Sequence, residues 1–357
     1  MPRGHGINYF DAFIRDAGRA RDSSWRGGLK TLSEFSIPFA RVSFSPYHPS
    51  DWALYMGDRD EYFRRMGEFL DGAREAGIRI VPSVFWNHSA IPDLCGEPVS
   101  AVGDENSATR RFMREYLDGV LSRFASHPAV AAWEFGNEWA LFCDIPGDAA
   151  GLPYAAPELG TPAARTPKDK ISRKMAYSAY AEFARAVRAR SPGRPVLLGD
   201  AMPRESAWHN ANCGTWEKDT PAQAEEMLLA DNLHSDAIGV HIYCRDPDEA
   251  KRALELARRA ARRAGKPLFI GEWGPAAGIA DAGKRREIFL EVSRALGRDP
   301  SAFWCFDIPS QPEFNVSAEN EKRYVLERLK TMNRAEAGDE AAGDPGNARR
   351  GSAPPRG

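Results

Sequence analysis

Net charge is nearly absent from this chain. Over 357 residues the formal charge is −2, which argues against the strongly basic surface that a nucleic-acid backbone or an anionic bilayer attracts. Basic runs do occur, Arg258-Arg259-Ala260-Ala261-Arg262-Arg263 and Arg185 to Arg190, but they sit in Ala-rich helical stretches and read as solvated helix faces. Cysteine is scarce: Cys95, Cys143, Cys213, Cys244 and Cys305 are too scattered for a disulfide framework, at least one must be unpaired within a monomer, and no CxxC pair suggests zinc. No segment approaches eighteen consecutive apolar residues, and Met1-Pro2-Arg3-Gly4-His5-Gly6 opens no signal-peptide run. The expectation is a chain that is cytoplasmic by default, although a mis-set start or an unconventional export route would leave the same record.

What is present is an ordinary globular balance, 43% hydrophobic and 27% charged, which excludes a disordered or fibrous main body. Eight short apolar, β-branched or aromatic runs alternate with amphipathic stretches: Gly6 to Tyr9, Phe39 to Phe44, Ile78 to Phe85, Val130 to Phe135, Pro195 to Leu198, Ala237 to Ile242, Pro267 to Ile270 and Ala302 to Phe306. That alternation predicts a parallel sheet covered by helices, and eight strands are what a closed (β/α)8 barrel needs. The clearest helical stripes are Ala108 to Phe124, Lys168 to Arg190, Asp248 to Ala264 and Arg285 to Leu296. The reading is a single α/β domain, a (β/α)8 TIM barrel over residues 1–333, followed by a Gly-, Ala-, Pro- and charge-rich tail, 334–357, expected to be disordered. Two long connections, Leu141 to Pro167 and Ala201 to Thr220, follow the fourth and fifth strands and are expected to shape a cleft on the C-terminal face.

Two segments carry the chemistry. Trp133-Glu134-Phe135-Gly136-Asn137-Glu138-Trp139 ends the fourth strand, and Phe269-Ile270-Gly271-Glu272-Trp273-Gly274 ends the seventh. A carboxylate at the end of a buried strand is costly unless it is paired or used, and both strands arrive at the face where barrel enzymes hold their active sites. Two carboxylates facing one another over that mouth suit glycoside hydrolysis, where one protonates the leaving oxygen and the other attacks the anomeric carbon or activates water. Glu134 is expected deeper in its strand, as a decoy. Arg41, a charge inside the apolar run Phe39-Ala40-Arg41-Val42-Ser43-Phe44, asks for a partner.

Through Asn137-Glu138 after strand four and Glu272 after strand seven, the sequence resembles the cellulase-like retaining glycoside hydrolases of family 5 and its wider clan of (β/α)8-barrel glycosidases, over roughly residues 5 to 330. The resemblance implies that Glu138 is the acid/base and Glu272 the nucleophile, that Arg41 lies beside the nucleophile, and that Asn137 bonds the sugar 2-hydroxyl. It further implies that in His241-Ile242-Tyr243 the tyrosine donates to Glu272 while His241 lies by the reacting sugar, and that Trp304 is the aromatic platform. Asn87 and His88, in Trp86-Asn87-His88 after strand three, are weaker substrate-binding candidates, because the clearer His-centred pattern of cellulases is missing. Trp139, Trp208, Trp216 and Trp273 are further candidate sugar-stacking surfaces, about half of them expected to be packing.

Other barrel chemistries fit less well. The seven histidines are dispersed with no His-x-His, against a metal-dependent hydrolase, and no strand ends in Lys, against a Schiff-base aldolase. No metal or organic cofactor is therefore expected. The substrate implied is a β-linked glucan or mannan, as polymer or oligosaccharide, with endo attack ahead of exo. A carbohydrate-binding pseudo-enzyme and a transglycosylase on the same barrel are the alternatives. The partner expected is carbohydrate, with no nucleic acid, no membrane and a monomeric chain.

Overall fold

Eight parallel strands form where the apolar runs lie. They are β1 (His5–Asn8), β2 (Phe39–Ser43), β3 (Arg79–Phe85), β4 (Trp133–Gly136), β5 (Val196–Leu197), β6 (Ile238–Cys244), β7 (Leu268–Pro275) and β8 (Ser301–Phe303). The structure is a computed structural model that describes residues 1–18 and 20–343. The strands hydrogen-bond in the order β5-β4-β3-β2-β1-β8-β7-β6, and the edge between β5 and β6 is spanned by Asp236, whose N–H donates to Val196 O at 2.8 Å while its carboxylate accepts from Val196 N at 2.8 Å. The result is a single-domain (β/α)8 barrel. A helix follows every strand: Trp25–Glu34, Arg59–Glu75, Ala108–Phe124, Arg173–Arg190, Pro221–Asp231, Pro247–Ala264, Ala282–Leu296 and Arg323–Gly343.

Local chemistry sets the helix ends. Ser107 accepts from Arg110 N at 3.0 Å, Thr220 and Gln223 form a reciprocal capping box, and Gly265 closes its helix at φ +63°. The stripe from Lys168 does not start a helix there. Pro167–Asp169 makes a separate short turn held by Thr166, and the helix begins at Arg173 with Ser172 as its cap. The basic runs are neutralised in place: Arg258 pairs with Asp299, Arg259 and Arg263 with Glu225, and Arg188 with Asp236. The expectation of a disordered tail from 334 is corrected as far as Gly343, because the last helix continues to that residue; residues 344–357 lie outside the described residues. All five cysteines are free, and no helix among the described residues is long and apolar enough to cross a membrane.

The core has two parts. The larger fills the space between sheet and helices, and a small cluster of Phe39, Val81, Ala132, Leu197, Phe269 and Ala302 plugs the barrel floor. Strand alternation puts Arg41 on the same face as Phe39, two residues nearer the mouth. The barrel therefore changes from apolar to charged along its axis. At that level the walls touch: Gly199, at φ +78°, lies so close to β4 that a Cβ would meet Gly136 O at 2.0 Å and the Glu134 carboxyl carbon at 2.9 Å. Gly199→Ala is expected to cost about 3 kcal/mol, from left-handed strain and from overpacking against backbone that cannot yield. A urea midpoint unchanged from wild type would contradict that close approach.

Candidate active site

Arg41 organises the mouth. It is fully buried, and each of its five N–H donors finds an acceptor. Nε donates to Glu134 Oε1 at 2.7 Å. Nη1 donates to Glu272 Oε1 at 2.6 Å and Asn8 Oδ1 at 3.1 Å, and Nη2 to Asn137 Oδ1 at 2.8 Å and Gly136 O at 3.4 Å. Its guanidinium also lies 4.5 Å from the centre of the Trp86 ring. One side chain thus links the ends of β1, β2, β4 and β7. Glu134 is fully buried beneath the mouth and lines no part of the cleft.

Glu272 enters this network through a bulge. Along β6 and β7, Val240 pairs with Ile270 but His241 with Glu272, so Gly271 is the extra residue. A Cβ there would sit 2.8 Å from His241 Nε2, and Asn8 Nδ2 holds the Gly271 carbonyl at 2.9 Å. The sequence reading ended strand seven at Ile270, whereas pairing with β6 carries it on to Pro275. Glu272 consequently lies within a strand, with Arg41 on one oxygen and the Tyr243 hydroxyl, at 2.5 Å, on the other.

Glu138 lies two residues past the end of β4 in the left-handed region, φ +55°, a conformation costing about 1–3 kcal/mol for a residue with a side chain. Its N–H bonds Gly199 O at 2.8 Å, and Oε1 meets His241 Nδ1 at 2.9 Å. Burial raises the Glu138 carboxyl above the usual carboxylate range, with Arg41 opposing. His241 is pushed down to about 3 by burial, against the pull of Glu272, so its ring is neutral at ordinary pH. Burial and Glu272 hold the Tyr243 hydroxyl well above its ordinary value. Glu138 and Glu272 are therefore unlike: one faces a neutral imidazole and the cleft, the other a cation and a phenol.

A cavity of about 640 Å³ opens over both carboxylates, lined among others by Asn137, Tyr243, Trp304, Trp86, Phe10 and Gln311. Trp304 follows β8 and is braced by Gln311 Oε1 at 3.1 Å from its indole N–H. A second lobe of about 310 Å³ shares Tyr47, Trp86, Asn137 and Glu138 but not Glu272, and reaches His88, Phe142 and Tyr154. His88 lies here, stacked on Phe142 at 4.3 Å. Asn87 also lines this lobe, although its side chain is engaged with Tyr47 O and Ser89 N. The structure thus brings Glu138, Glu272, Arg41, Asn137, His241, Tyr243 and Trp304 together, with Asn87 and His88 to one side.

Four tryptophans fall elsewhere. Trp139 and Trp273 are buried packing, while Trp208 and Trp216 sit on the connection after β5 and line neither lobe. The connection expected to shape the cleft there, Ala201 to Thr220, lines neither lobe and instead bonds the residues after Glu138 through Arg204. The connection after β4 does reach the cleft, through Leu152, Pro153, Tyr154 and Thr161. Phe10, Tyr47, Gln311 and Phe314 escaped the sequence reading because they stand on loops without periodicity. Phe10 lies two residues past the end of β1, and that position was the one available signal.

Glu138, His241 and Glu272 offer ligand atoms within 4.8 Å of one another, the one such group among the described residues. The Arg41 guanidinium, 2.6 Å from Glu272 Oε1, keeps a positive charge beside this group, which opposes a dication there. The donor set is poorly matched to a metal.

No protein-family model and no curated protein matches the chain. Solved structures do. The endo-1,4-β-mannanase of Rhizomucor miehei superposes with a TM-score of 0.67 at 14% identity, over 94% of this chain and 95% of that one. A hyperthermostable endo-1,4-β-D-mannanase from Thermotoga petrophila gives 0.65 at 14%, over 93% and 99%. A GH5_18 structure from Streptomyces cattleya in complex with Manβ1-4GlcNAc gives 0.62 at 17%, over 100% and 83%. At such identities the likeness shows a shared barrel along nearly the whole chain.

Proposed function

We propose that this protein is a retaining glycoside hydrolase acting on β-linked glycans of mannan or glucan type. The observation that carries the reading is the approach of the Glu138 and Glu272 carboxylates, with oxygen atoms within 4.8 Å across the mouth. An approach this short between one oxygen of each favours the closer spacing of retaining enzymes, whose carboxyl groups lie about 5–5.5 Å apart, over the about 6.5–9.5 Å that inverting enzymes leave for a water. The likeness to mannanase barrels supports the mannan side of the substrate class.

In this reading Trp304 presents its face to the sugar, and Asn137, whose Oδ1 is held by Arg41, turns its amide N–H2 toward the 2-hydroxyl. An oxygen of Glu272 attacks the anomeric carbon while protonated Glu138 gives its proton to the departing oxygen. The glycosyl–Glu272 ester removes the charge that repels an anion at Glu138, whose carboxylate then takes a proton from water as the water displaces the ester. His241, being neutral, can sit beside either protonation state of Glu138 without placing a second cation near Arg41.

The test is hydrolysis of β-linked oligosaccharides, polysaccharides and aryl β-glycosides by wild type and Glu138→Ala. The variant is expected to lose about 10²–10⁴-fold on unactivated substrates, and much less on aryl glycosides whose leaving group needs no proton. Azide should then accelerate it by forming a β-glycosyl azide. Wild-type kcat/KM should fall as pH rises through the raised Glu138 value, a limb absent from the variant. Equal losses on all leaving groups, or an α-glycosyl azide, would overturn the reading.

A further inference from the structure

Glu138 is followed at once by a single helical turn, Trp139–Phe142. That turn is held at both ends from the connection after β5. At its start Asp200, almost fully buried, accepts the Ala140 N–H through Oδ1 at 2.9 Å. At its end Arg204 donates to the carbonyls of Ala140 at 3.4 Å and Cys143 at 2.8 Å, and to that of Leu141. Burial and Asp231 raise the Asp200 carboxyl well above the usual carboxylate range, so Asp200 serves the N–H end as a hydrogen-bond acceptor, while the Arg204 cation at the C=O end matches the polarity of a helical turn. Arg204 is itself fixed by Asn210 Oδ1 at 3.0 and 3.3 Å, and Asn210 Nδ2 bonds Thr215 O at 2.7 Å. Between strand and turn, the Glu138 N–H is tied to Gly199 O, the residue before Asp200. Neither Asp200 nor Arg204 lines the cleft.

We propose that Asp200 and Arg204 are positioning residues, which grip the turn Trp139–Phe142 from both ends and so set where the Glu138 carboxyl stands. A left-handed residue persists only where its surroundings over-determine it. Here three residues do so: Gly199 on Glu138 itself, Asp200 at the start of the turn and Arg204 at its end. Without them Glu138 can relax to a commoner backbone angle and carry its carboxyl away from His241 and the leaving oxygen. The effect would be confined to proton transfer, since Glu272 is fixed by Arg41 and Tyr243 on other strands.

The inference rests on the reading of Glu138 as the acid, and the experiment separates the two. kcat/KM is measured on aryl β-mannosides and β-glucosides with a poor leaving group (phenolate) and a good one (2,4-dinitrophenolate), for wild type, Glu138→Ala, Asp200→Leu, Arg204→Met and Arg204→Lys. For Asp200→Leu and Arg204→Met the poor leaving group is expected to lose about 10- to 100-fold more than the good one, the scale of a misplacement near 1 Å. Arg204→Lys should recover part of the loss. Equal losses on both leaving groups, with Glu138→Ala still discriminating, would overturn the positioning role and leave the acid intact. Failure of Glu138→Ala to discriminate would overturn the functional reading. A ¹³C titration of the Glu138 carboxyl reads the same positions with no substrate present: in Arg204→Met its midpoint should move toward that of an exposed glutamate, and an unmoved midpoint in folded protein would overturn the inference.

Discussion

Glu272→Ala is expected to abolish turnover, by a factor of about 10⁴ or more, the scale on which enzymes lose rate with their nucleophile, while leaving the barrel folded. Glu272 is the carboxylate whose oxygens are both held from the protein side, by Arg41 and Tyr243, so its position is set before any sugar arrives. No other carboxylate is held in its place: Glu134 lies beneath the mouth with its own hydrogen bond to Arg41, and Glu138 meets His241 rather than Arg41 or Tyr243. Stability should change little, because Arg41 keeps Glu134 as a counter-ion after the substitution. Rates on an activated aryl glycoside and a urea midpoint check both halves. Intact-mass measurement with a 2-fluoro glycoside should show a covalent adduct on wild type and none on the variant. Residual activity within tenfold of wild type would remove Glu272 from the chemistry.

The opposite pattern is expected of Arg41→Met, where stability falls with activity. The substitution leaves Glu134 and Glu272, both buried, without their shared cation. Breaking a buried ion pair in this way costs about 3–5 kcal/mol, more than the pair contributes over an apolar replacement. The loss should depend on pH with a definite sign. Burial already raises Glu134, with Arg41 opposing, and removing Arg41 raises it further. A carboxyl whose folded value lies above its unfolded value of about 4.3 costs no stability below that value, destabilises increasingly as pH rises from there toward the folded value, and levels off above it. The gap between variant and wild type should therefore be smallest in acid and widen toward neutrality. Adding Glu134→Gln should recover part of the stability at neutral pH. A urea midpoint for Arg41→Met equal to wild type at pH 7 would contradict the ion-pair account.

The helix Ala108–Phe124 was legible to the residue because three signals coincide: a Ser cap, a 3.6-residue stripe and an end before the short loop to β4. Strand β7 was cut short because Glu272 interrupts its apolar run, and what carries the strand onward is pairing with β6, which periodicity cannot supply. The carboxylates and their arginine were legible for the converse reason, as charges inside apolar runs that demand an explanation. Trp139 and Trp273 illustrate the limit. An indole beside a reactive carboxylate reads as a platform, yet strand alternation turns Trp273 onto Phe289 of the following helix, and Trp139, in the turn after β4, is buried against Phe135 with its N–H on Phe85 O. Asp200 and Arg204 gave no signal at all, since their partners are backbone groups of another loop.

Where β5 meets β6 the cylinder lacks a ladder, and its rim is tied by one acidic side chain and a few loop bonds. A two-residue strand carries almost no cooperative hydrogen bonding, and the charge of Asp236 beside the bare edge discourages another chain from adding to it. The molecule thus has a weakest line running down one side, like the seam of a stave barrel, and the loop that steadies Glu138 is rooted on it. Loosening of that seam, in heat or over evolutionary time, would reach proton transfer before it reached the far wall where Arg41 stands on β2.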